Sequence, residues 1–274
     1  MDQTAKDGKW AVLLCGGSGS RMGDLTRDKP KPLLEVHGHP ILWYAFMTLY
    51  QHGFRNFVFP LGYKGDMIRK FITEISQDMP VSIQCIDTGE DTSIAHRIHQ
   101  VKDAIPDHQD FFILNSDTIF DFDIQAMHQV HQETKALVTL SSVVVISAWG
   151  LIMMNGNNIV GFDRQRKVRY LESSEIPGVH GAVNSGLAWL NKDALLHIDL
   201  LTCGDFETDL YQKLIAMNRA AHFEITGDWF PIDTPKDLHA INFKGEDKHD
   251  TWLSAKAMKD TINNTKVQNQ EDDK

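Results

Sequence analysis

The stretch WAVLLCGGSGSRMGDLTRDKPKPLLEV, residues 10–36, is the one around which the rest of the chain is organised. Its apolar run over 11–15 has the length and unbroken hydrophobicity of a strand covered on both faces. The run stops at Gly16, Gly17, Ser18 and Gly19, and cations follow at Arg21, Arg27, Lys29 and Lys31. Glycines let the backbone turn sharply and offer its N–H groups to a ligand with no side chain in the way. Amide donors followed by cations at the end of a first strand describe a receptacle for phosphates. A glycine-rich turn carrying solvated charges is the plain alternative.

Two familiar phosphate loops do not fit. The Walker pattern ends in Gly-Lys-Ser/Thr, which this chain lacks. The dinucleotide fingerprint needs a further glycine three residues on, but Gly19 is followed by Ser20, Arg21 and Met22. What remains is GGxGxR with Pro30-Lys31-Pro32 beginning nine residues after Arg21. This long composite resembles the signature of the sugar-1-phosphate nucleotidyltransferases. The likeness runs over residues 10–242 and favours the glucose-1-phosphate cytidylyltransferase branch. Its landmarks are PILWYAFMTLYQHG (40–53), LGYKGDMI (61–68), IDTGEDTSIAHRI (86–98), LNSDTIFDFDI (114–124), VNSGLAWL (183–190) and WFPIDTPKD (229–237).

Composition sets the outer bounds. A chain of 274 residues, 42% hydrophobic and 23% charged, can bury a sizeable core in the manner of a soluble globular protein. The expected organisation is one domain over 1–244 and a polar tail over 245–274, in which 252–262 reads as a short helix or a frayed end. A net charge of −10 argues against a nucleic-acid partner. No apolar run approaches the roughly 18 residues of a membrane span, and no signal peptide is read before Trp10. Three scattered cysteines, Cys15, Cys85 and Cys203, form no metal spacing and no paired framework, so the expected compartment is a reducing cytoplasm. A homo-oligomer stays open.

Strand and helix alternate through the first half. Helical patterns cover 40–51 and 64–75, and Ile94, Ile98, Val101 and Ile105 share one helical face. Apolar strands cover 57–61, 81–86 and 111–114, the last ending at Asn115-Ser116-Asp117. Such alternation predicts a mostly parallel sheet between helices, with ligands at the carboxyl ends of the strands. The second half reads as strands over 136–146, 149–154, 159–162, 183–190 and 223–225, with a turn at 155–158 and helices over 206–217 and from Pro235. The resemblance implies a three-layer αβα Rossmann-like nucleotidyltransferase fold with a mixed, mostly parallel central sheet.

A triphosphate normally arrives with magnesium held by carboxylates. Asp117 ends a buried strand, where parallel sheets place their sites. A turn or cap aspartate beside Thr118 and Asp121 fits its position equally well. Asp233, in GDWFPIDTPKDL (227–238), has a similar alternative as a cap for the helix at Pro235, a role Thr234 would also fill. The resemblance implies that Asp117 and Asp233 hold Mg2+, that Arg21 grips the leaving pyrophosphate, and that Lys31 touches the α-phosphate and the acceptor phosphate. It places Leu14, Gly16, Gly17, Ser18, Gly19, Thr88, Gly89 and Ser116 on the nucleotide side, and Arg97, Asn184 and Arg164 on the acceptor side. The implied partners are a nucleoside triphosphate, CTP favoured, and a phosphorylated small acceptor.

Histidines at i, i+3 spacing, His96–His99 and His128–His131, could chelate a metal, but no third ligand is near in sequence, and solvated helix faces are the expectation. Three segments depart from the family pattern. The Phe-x-Glu-Lys-Pro segment is Phe162-Asp163-Arg164-Gln165-Arg166, Asn-Gly-Gly is Asn184-Ser185-Gly186, and Thr-Gly-Gly before the arginine is Ile94-Ala95-His96. All three lie on the acceptor side, which implies an unusual acceptor: another sugar phosphate, a polyol phosphate or a small non-sugar phosphate. Arg164 and Arg166 suggest a second acidic group on it. Two rival classes remain, a glycosyltransferase of related fold and a non-catalytic nucleotide sensor. The first usually carries Asp-x-Asp where this chain has Asn115-Ser116-Asp117, and the second tends to lose Arg21 or Lys31.

Overall fold

The computed structural model describes residues 8–146, 151–155, 157–163, 167–168, 171–172 and 179–243. The expected tail, Arg164 and Arg166 lie outside these residues. In chain order the elements are β1 (Lys9–Leu14), α1 (Ile41–Gln51), β2 (Phe54–Leu61), α2 (Gly65–Ser76), β3 (Ser82–Asp87), α3 (Ile94–Val101) and β4 (Asp110–Asn115). There follow β5 (Thr118–Asp121), α4 (Ile124–Glu133), β6 (Val138–Val143), β7 (Leu151–Asn155), β8 (Asn158–Asp163) and β9 (Val183–Asn191). The described chain closes with α5 (Phe206–Ala216), β10 (Ala220–Glu224), β11 (Asp228–Pro231) and α6 (Pro235–Phe243).

Seven strands form one mixed sheet in the order β10-β6-β9-β4-β1-β2-β3. All neighbours are parallel except β9, which runs antiparallel to both β4 and β6. Strand β1 sits between β2 and β4, which explains its continuous apolar sequence: Ala11, Val12 and Leu13 are fully buried. Successive side chains point to opposite faces. Ala11, Leu13, Phe112 and Trp189 join the core on one face, and Val12, Phe111, Ile113 and Ala188 join the core on the other. Helix α1 is buried from Ile41 through Tyr50 because it lies between the sheet and β5.

The strand expected over 136–146 is broken into β6 and a two-residue piece, Val145–Ile146. Strand β9 carries a register shift between Asn184 and Ala188, and Gly186 sits there at φ 77°, a conformation open to glycine at little cost. Two features have no counterpart in the sequence reading. The phosphate loop continues into 3-10 turns over Ser20–Thr26 and Lys31–Leu33. Strands β5 and β11 pair antiparallel as a separate ribbon, with Thr118 opposite Pro231 and Asp121 opposite Asp228.

Candidate active site

The ribbon is what assembles the site. Asp117 directly precedes β5 and Asp233 follows β11 by one residue, so pairing β5 with β11 brings together carboxylates far apart in sequence. The bond from Ile232 N to the Asp117 carbonyl, 3.0 Å, extends the ladder to the aspartates themselves. Lys31 lies between them: its Nζ donates to Asp117 Oδ2 at 2.7 Å and to Asp233 Oδ1 at 2.9 Å. Arg21 adds a two-pronged pairing with Asp233, Nη1 to Oδ2 at 3.0 Å and Nη2 to Oδ1 at 3.0 Å. Burial alone would raise the Asp233 carboxyl, but the Lys31 hydrogen bond and charge, with Arg21, hold it below the ordinary range.

Neither aspartate side chain caps a helix, and Asp117 lies in the turn between β4 and β5. Helix α4 is capped by Asp123, whose side chain accepts from Ala126 N, so Asp117 is not needed there. At α6, Asp237 N donates to Thr234 Oγ1 (3.3 Å), and Asp237 Oδ2 accepts from Asp233 N, Thr234 N and Thr234 Oγ1. This is a reciprocal Thr-x-x-acid box. It satisfies the helix start without the Asp233 side chain, which is left to face Lys31.

The loop after β1 turns through Gly19 at φ 65° and Gly23 at φ 58°. A Cβ on Gly19 would also meet Lys31 Cβ at 2.9 Å, so the absence of a side chain lets Lys31 pack beneath the loop, where the lysine is 6% exposed. Leu14, Gly16, Gly17, Ser18, Gly19, Arg21, Lys31, Ser116 and Asp117 all line one cavity of about 640 Å3. Its far wall is Glu90 through Ile94, of which the sequence reading singled out only Ile94. Their position follows from β3 ending beside β2. Ser116 is fixed by a bond from its Oγ to the Leu14 carbonyl, 2.8 Å. A second depression, about 660 Å3, lies at the other end of the β5–β11 ribbon. It is walled by Asp121, Asp123 and Asp228, a charge pattern that repels a polyphosphate.

Thr88 is 3% exposed and its hydroxyl bonds to the Leu61 carbonyl at 2.6 Å, so its side chain braces the wall. Arg97 is 4% exposed: its guanidinium is bonded to backbone carbonyls and Thr88, and the residue lines the same cavity as the glycine loop. Asn184 is exposed on the strand beside β4; its Oδ1 accepts from Gly186 N (3.1 Å) and its Nδ2 reaches Glu207 Oε2 at 3.4 Å. Burial, then the nearby Asp205, pushes the Glu207 carboxyl up. Arg164 falls outside the described residues.

The histidine expectation is corrected for one pair. His131 is 2% exposed, and His128 and His131 both turn to Asp110, at 3.1 and 3.4 Å, while the His128 ring stacks on Trp189. They form part of the core under α4 and not a solvated face. His96 is exposed beside the Ser93 cap.

Asp117 and Asp233 offer hard carboxylate oxygens that already converge on one cation, the Lys31 ammonium. That donor set fits magnesium, which takes one or two carboxylates and completes its shell with phosphate and water. Among the described residues no group of three or more His, Cys, Asp or Glu side chains forms a closed metal cage.

An open α/β sheet with a cation-bearing glycine loop at the end of a central strand, and two aspartates beside it, defines an enzyme that handles phosphates. A family model described as "Nucleotidyl transferase" matches residues 10–248, and the chain belongs to that family of enzymes. It is 28% identical over 261 residues to a Bacillus subtilis (strain 168) protein named "Probable glucose-1-phosphate cytidylyltransferase", covering 88% of this chain and 98% of that one. It is 26% identical over 265 residues to the glucose-1-phosphate cytidylyltransferase of Salmonella typhimurium, covering 88% and 99%. The solved structure of HddC from Yersinia pseudotuberculosis superposes with a TM-score of 0.61 at 21% identity, covering 86% of this chain and 99% of that chain, a likeness of fold. Among the described residues no helix is long and apolar enough to cross a membrane.

Proposed function

We propose that the chain joins a nucleoside triphosphate, CTP in preference, to a phosphorylated small acceptor, giving an activated nucleoside diphosphate product and pyrophosphate. The observation that carries this reading is Lys31 Nζ held by both Asp117 and Asp233, with Lys31 and Asp117 lining the glycine-loop cavity. Cytidylyl transfer is favoured by the names of the Bacillus and Salmonella relatives, "Probable glucose-1-phosphate cytidylyltransferase" and "Glucose-1-phosphate cytidylyltransferase".

In the proposed step an oxygen of the acceptor's phosphate attacks the α-phosphorus in line. The new oxygen–phosphorus bond forms as the bond to the β-phosphate oxygen breaks, and its electron pair leaves with pyrophosphate. A phosphate monoester is already ionised near neutral pH, so the reaction needs no general base; positioning and charge neutralisation carry it. The glycine-loop amides cradle the triphosphate. Arg21 leaves Asp233 to hold the departing pyrophosphate, and Lys31 moves from between the carboxylates to the α-phosphate and the incoming phosphate. Asp117 and Asp233 would then hold magnesium, which supplies charge neutralisation between the two anions.

By the resemblance the departures at 94–96, 162–166 and 184–186 belong to the acceptor side, which supports an acceptor other than a hexose 1-phosphate, while Ile94 itself lines the glycine-loop cavity. Three free cysteines fit a reducing compartment and a cytoplasmic site of action. The test is pyrophosphate release with each of four nucleoside triphosphates against a panel of sugar, polyol and small non-sugar phosphates. The reading requires release that depends on both substrates and on magnesium. A glycosyltransferase would instead consume a sugar nucleotide, and a sensor would release nothing.

A further inference from the structure

The Arg97 side chain joins three separate pieces of chain. Its Nη2 donates to the carbonyls of Gly16 (3.0 Å) and Glu90 (2.8 Å). Its Nη1 donates to the carbonyls of Gly89 (2.8 Å) and Leu61 (3.3 Å) and to Thr88 Oγ1 (2.6 Å). Four backbone carbonyls converging on one point repel each other unless a cation with several fixed donors sits among them. Guanidinium supplies five donors in a planar fork, where lysine supplies a single point of charge.

Space is cleared for it. A Cβ on Gly16 would lie 2.0 Å from Nη1, and a Cβ on Gly62 would lie 2.7 Å from Nη1 and 2.5 Å from the Gly16 carbonyl. Neither glycine has a positive φ, so close approach, and not backbone conformation, requires them. In a trans peptide the carbonyl and the following N–H point to opposite sides. Holding the Gly16, Gly89 and Glu90 carbonyls inward therefore turns the N–H groups of Gly17, Glu90 and Asp91 away from Arg97. Gly17, Glu90 and Asp91 line the cavity.

Resting on the proposed nucleotidyl transfer, we infer that Arg97 is a positioning residue for the nucleotide: it bolts the phosphate loop to the opposite wall and orients the peptide groups that receive the triphosphate. Arg97 lines the cavity, but its Nη donors are taken up by protein acceptors. Its effect reaches the nucleotide through Gly16 and Gly89.

The test measures pyrophosphate release by the full chain carrying Arg97→Ala or Arg97→Lys, varying nucleotide and acceptor separately. The nucleotide KM rises roughly tenfold to a hundredfold in both, because small displacements of binding groups cost that much. The acceptor KM stays within about twofold of wild type. Methylguanidinium added to Arg97→Ala lowers the nucleotide KM again, a recovery that general destabilisation does not allow. Gly16→Ala, whose new methyl displaces the guanidinium, reproduces the defect and adds little to it in the double variant. If Arg97→Ala fails to fold, Arg97→Lys and Gly16→Ala carry the comparison. A raised acceptor KM with an unchanged nucleotide KM overturns the inference, as does a nucleotide KM unmoved in every variant. A wild-type chain that releases no pyrophosphate with any pair of substrates removes the proposed function, and this inference with it.

Discussion

Ile232 N donates to the carbonyl of Asp117 across 3.0 Å, and this single backbone bond ties together the two segments that carry the site carboxylates. It continues the short β5–β11 ladder, and the placement of Asp117 and Asp233 depends on that ladder holding register. At the ribbon's far end a Cβ on Gly227 would lie 2.1 Å from the Asp121 carbonyl and 3.0 Å from Phe122 Cα, both backbone atoms that cannot yield cheaply. Gly227→Ala should therefore destabilise the chain by about 1–3 kcal/mol. It should also lower turnover although it lies away from the chemistry. Urea denaturation and pyrophosphate release check the two effects.

Asp117→Asn and Lys31→Ala address the chemistry directly. Each should reduce kcat by about 10²-fold or more, the scale of losing one charged contact to a developing phosphate charge. Far-UV circular dichroism should stay that of wild type. Near-normal turnover in either variant contradicts the assignment.

Thr234→Ala separates holding Asp233 from using it. The Thr234 hydroxyl accepts from Asp237 N, and its loss should cost about 1 kcal/mol, as for other N-caps. In a domain of this size that lowers Tm by a few degrees. With the box gone, Asp233 becomes a competing cap, so turnover should fall further than the small loss in stability explains. Calorimetry and initial rates on the same preparation test this.

Asp110 makes a prediction about acid stability. Burial would raise its carboxyl, but the hydrogen bonds from His128 and Asn191, with His131 beside it, hold it well below the usual carboxylate range. A carboxyl depressed by folding stabilises the native state fully above its unfolded pKa of about 3.9, and the contribution is lost as the pH falls toward the native value. Asp110→Asn should therefore be less stable than wild type at pH 7, and the gap should narrow as the pH is lowered below about 4. Urea midpoints across that range measure it.

How much of this was legible in the sequence depends on how local each signal is. Strand β1 and the loop are readable because an apolar run, three glycines and a following arginine lie within a dozen residues, roughly the range over which sequence patterns act. The β5–β11 ribbon left no such signal: Thr118–Asp121 is four residues long, and its partner lies over a hundred positions away. His128 and His131 showed their shared helix face, yet their burial is set by Asp110 on β4, which no helical period reports. Arg97 was singled out by the resemblance alone, because its partners are mostly backbone carbonyls, from the glycine loop, the end of β2 and residues 89–90, and carbonyls carry no sequence signature. The Thr234–Asp237 box could have been seen, since Thr-x-x-acid before a helix is a local pattern.

Cys15 follows the same logic of burial. It is 1% exposed beneath the loop, and burial pushes its thiol up to about 12. Under native conditions at pH 7.5 a thiol-alkylating reagent should leave Cys15 unmodified while slowly modifying the less buried Cys203, as peptide mass mapping would show.

In the proposed reaction Asp117 and Asp233 act on one divalent ion together with the triphosphate. Manganese binding in the presence of a non-hydrolysable CTP analogue, followed by electron paramagnetic resonance, reads this out. One tightly bound ion per chain is expected for wild type, with that tight binding weakened at least about tenfold in both Asp117→Asn and Asp233→Asn. Unchanged manganese affinity in either variant would contradict it.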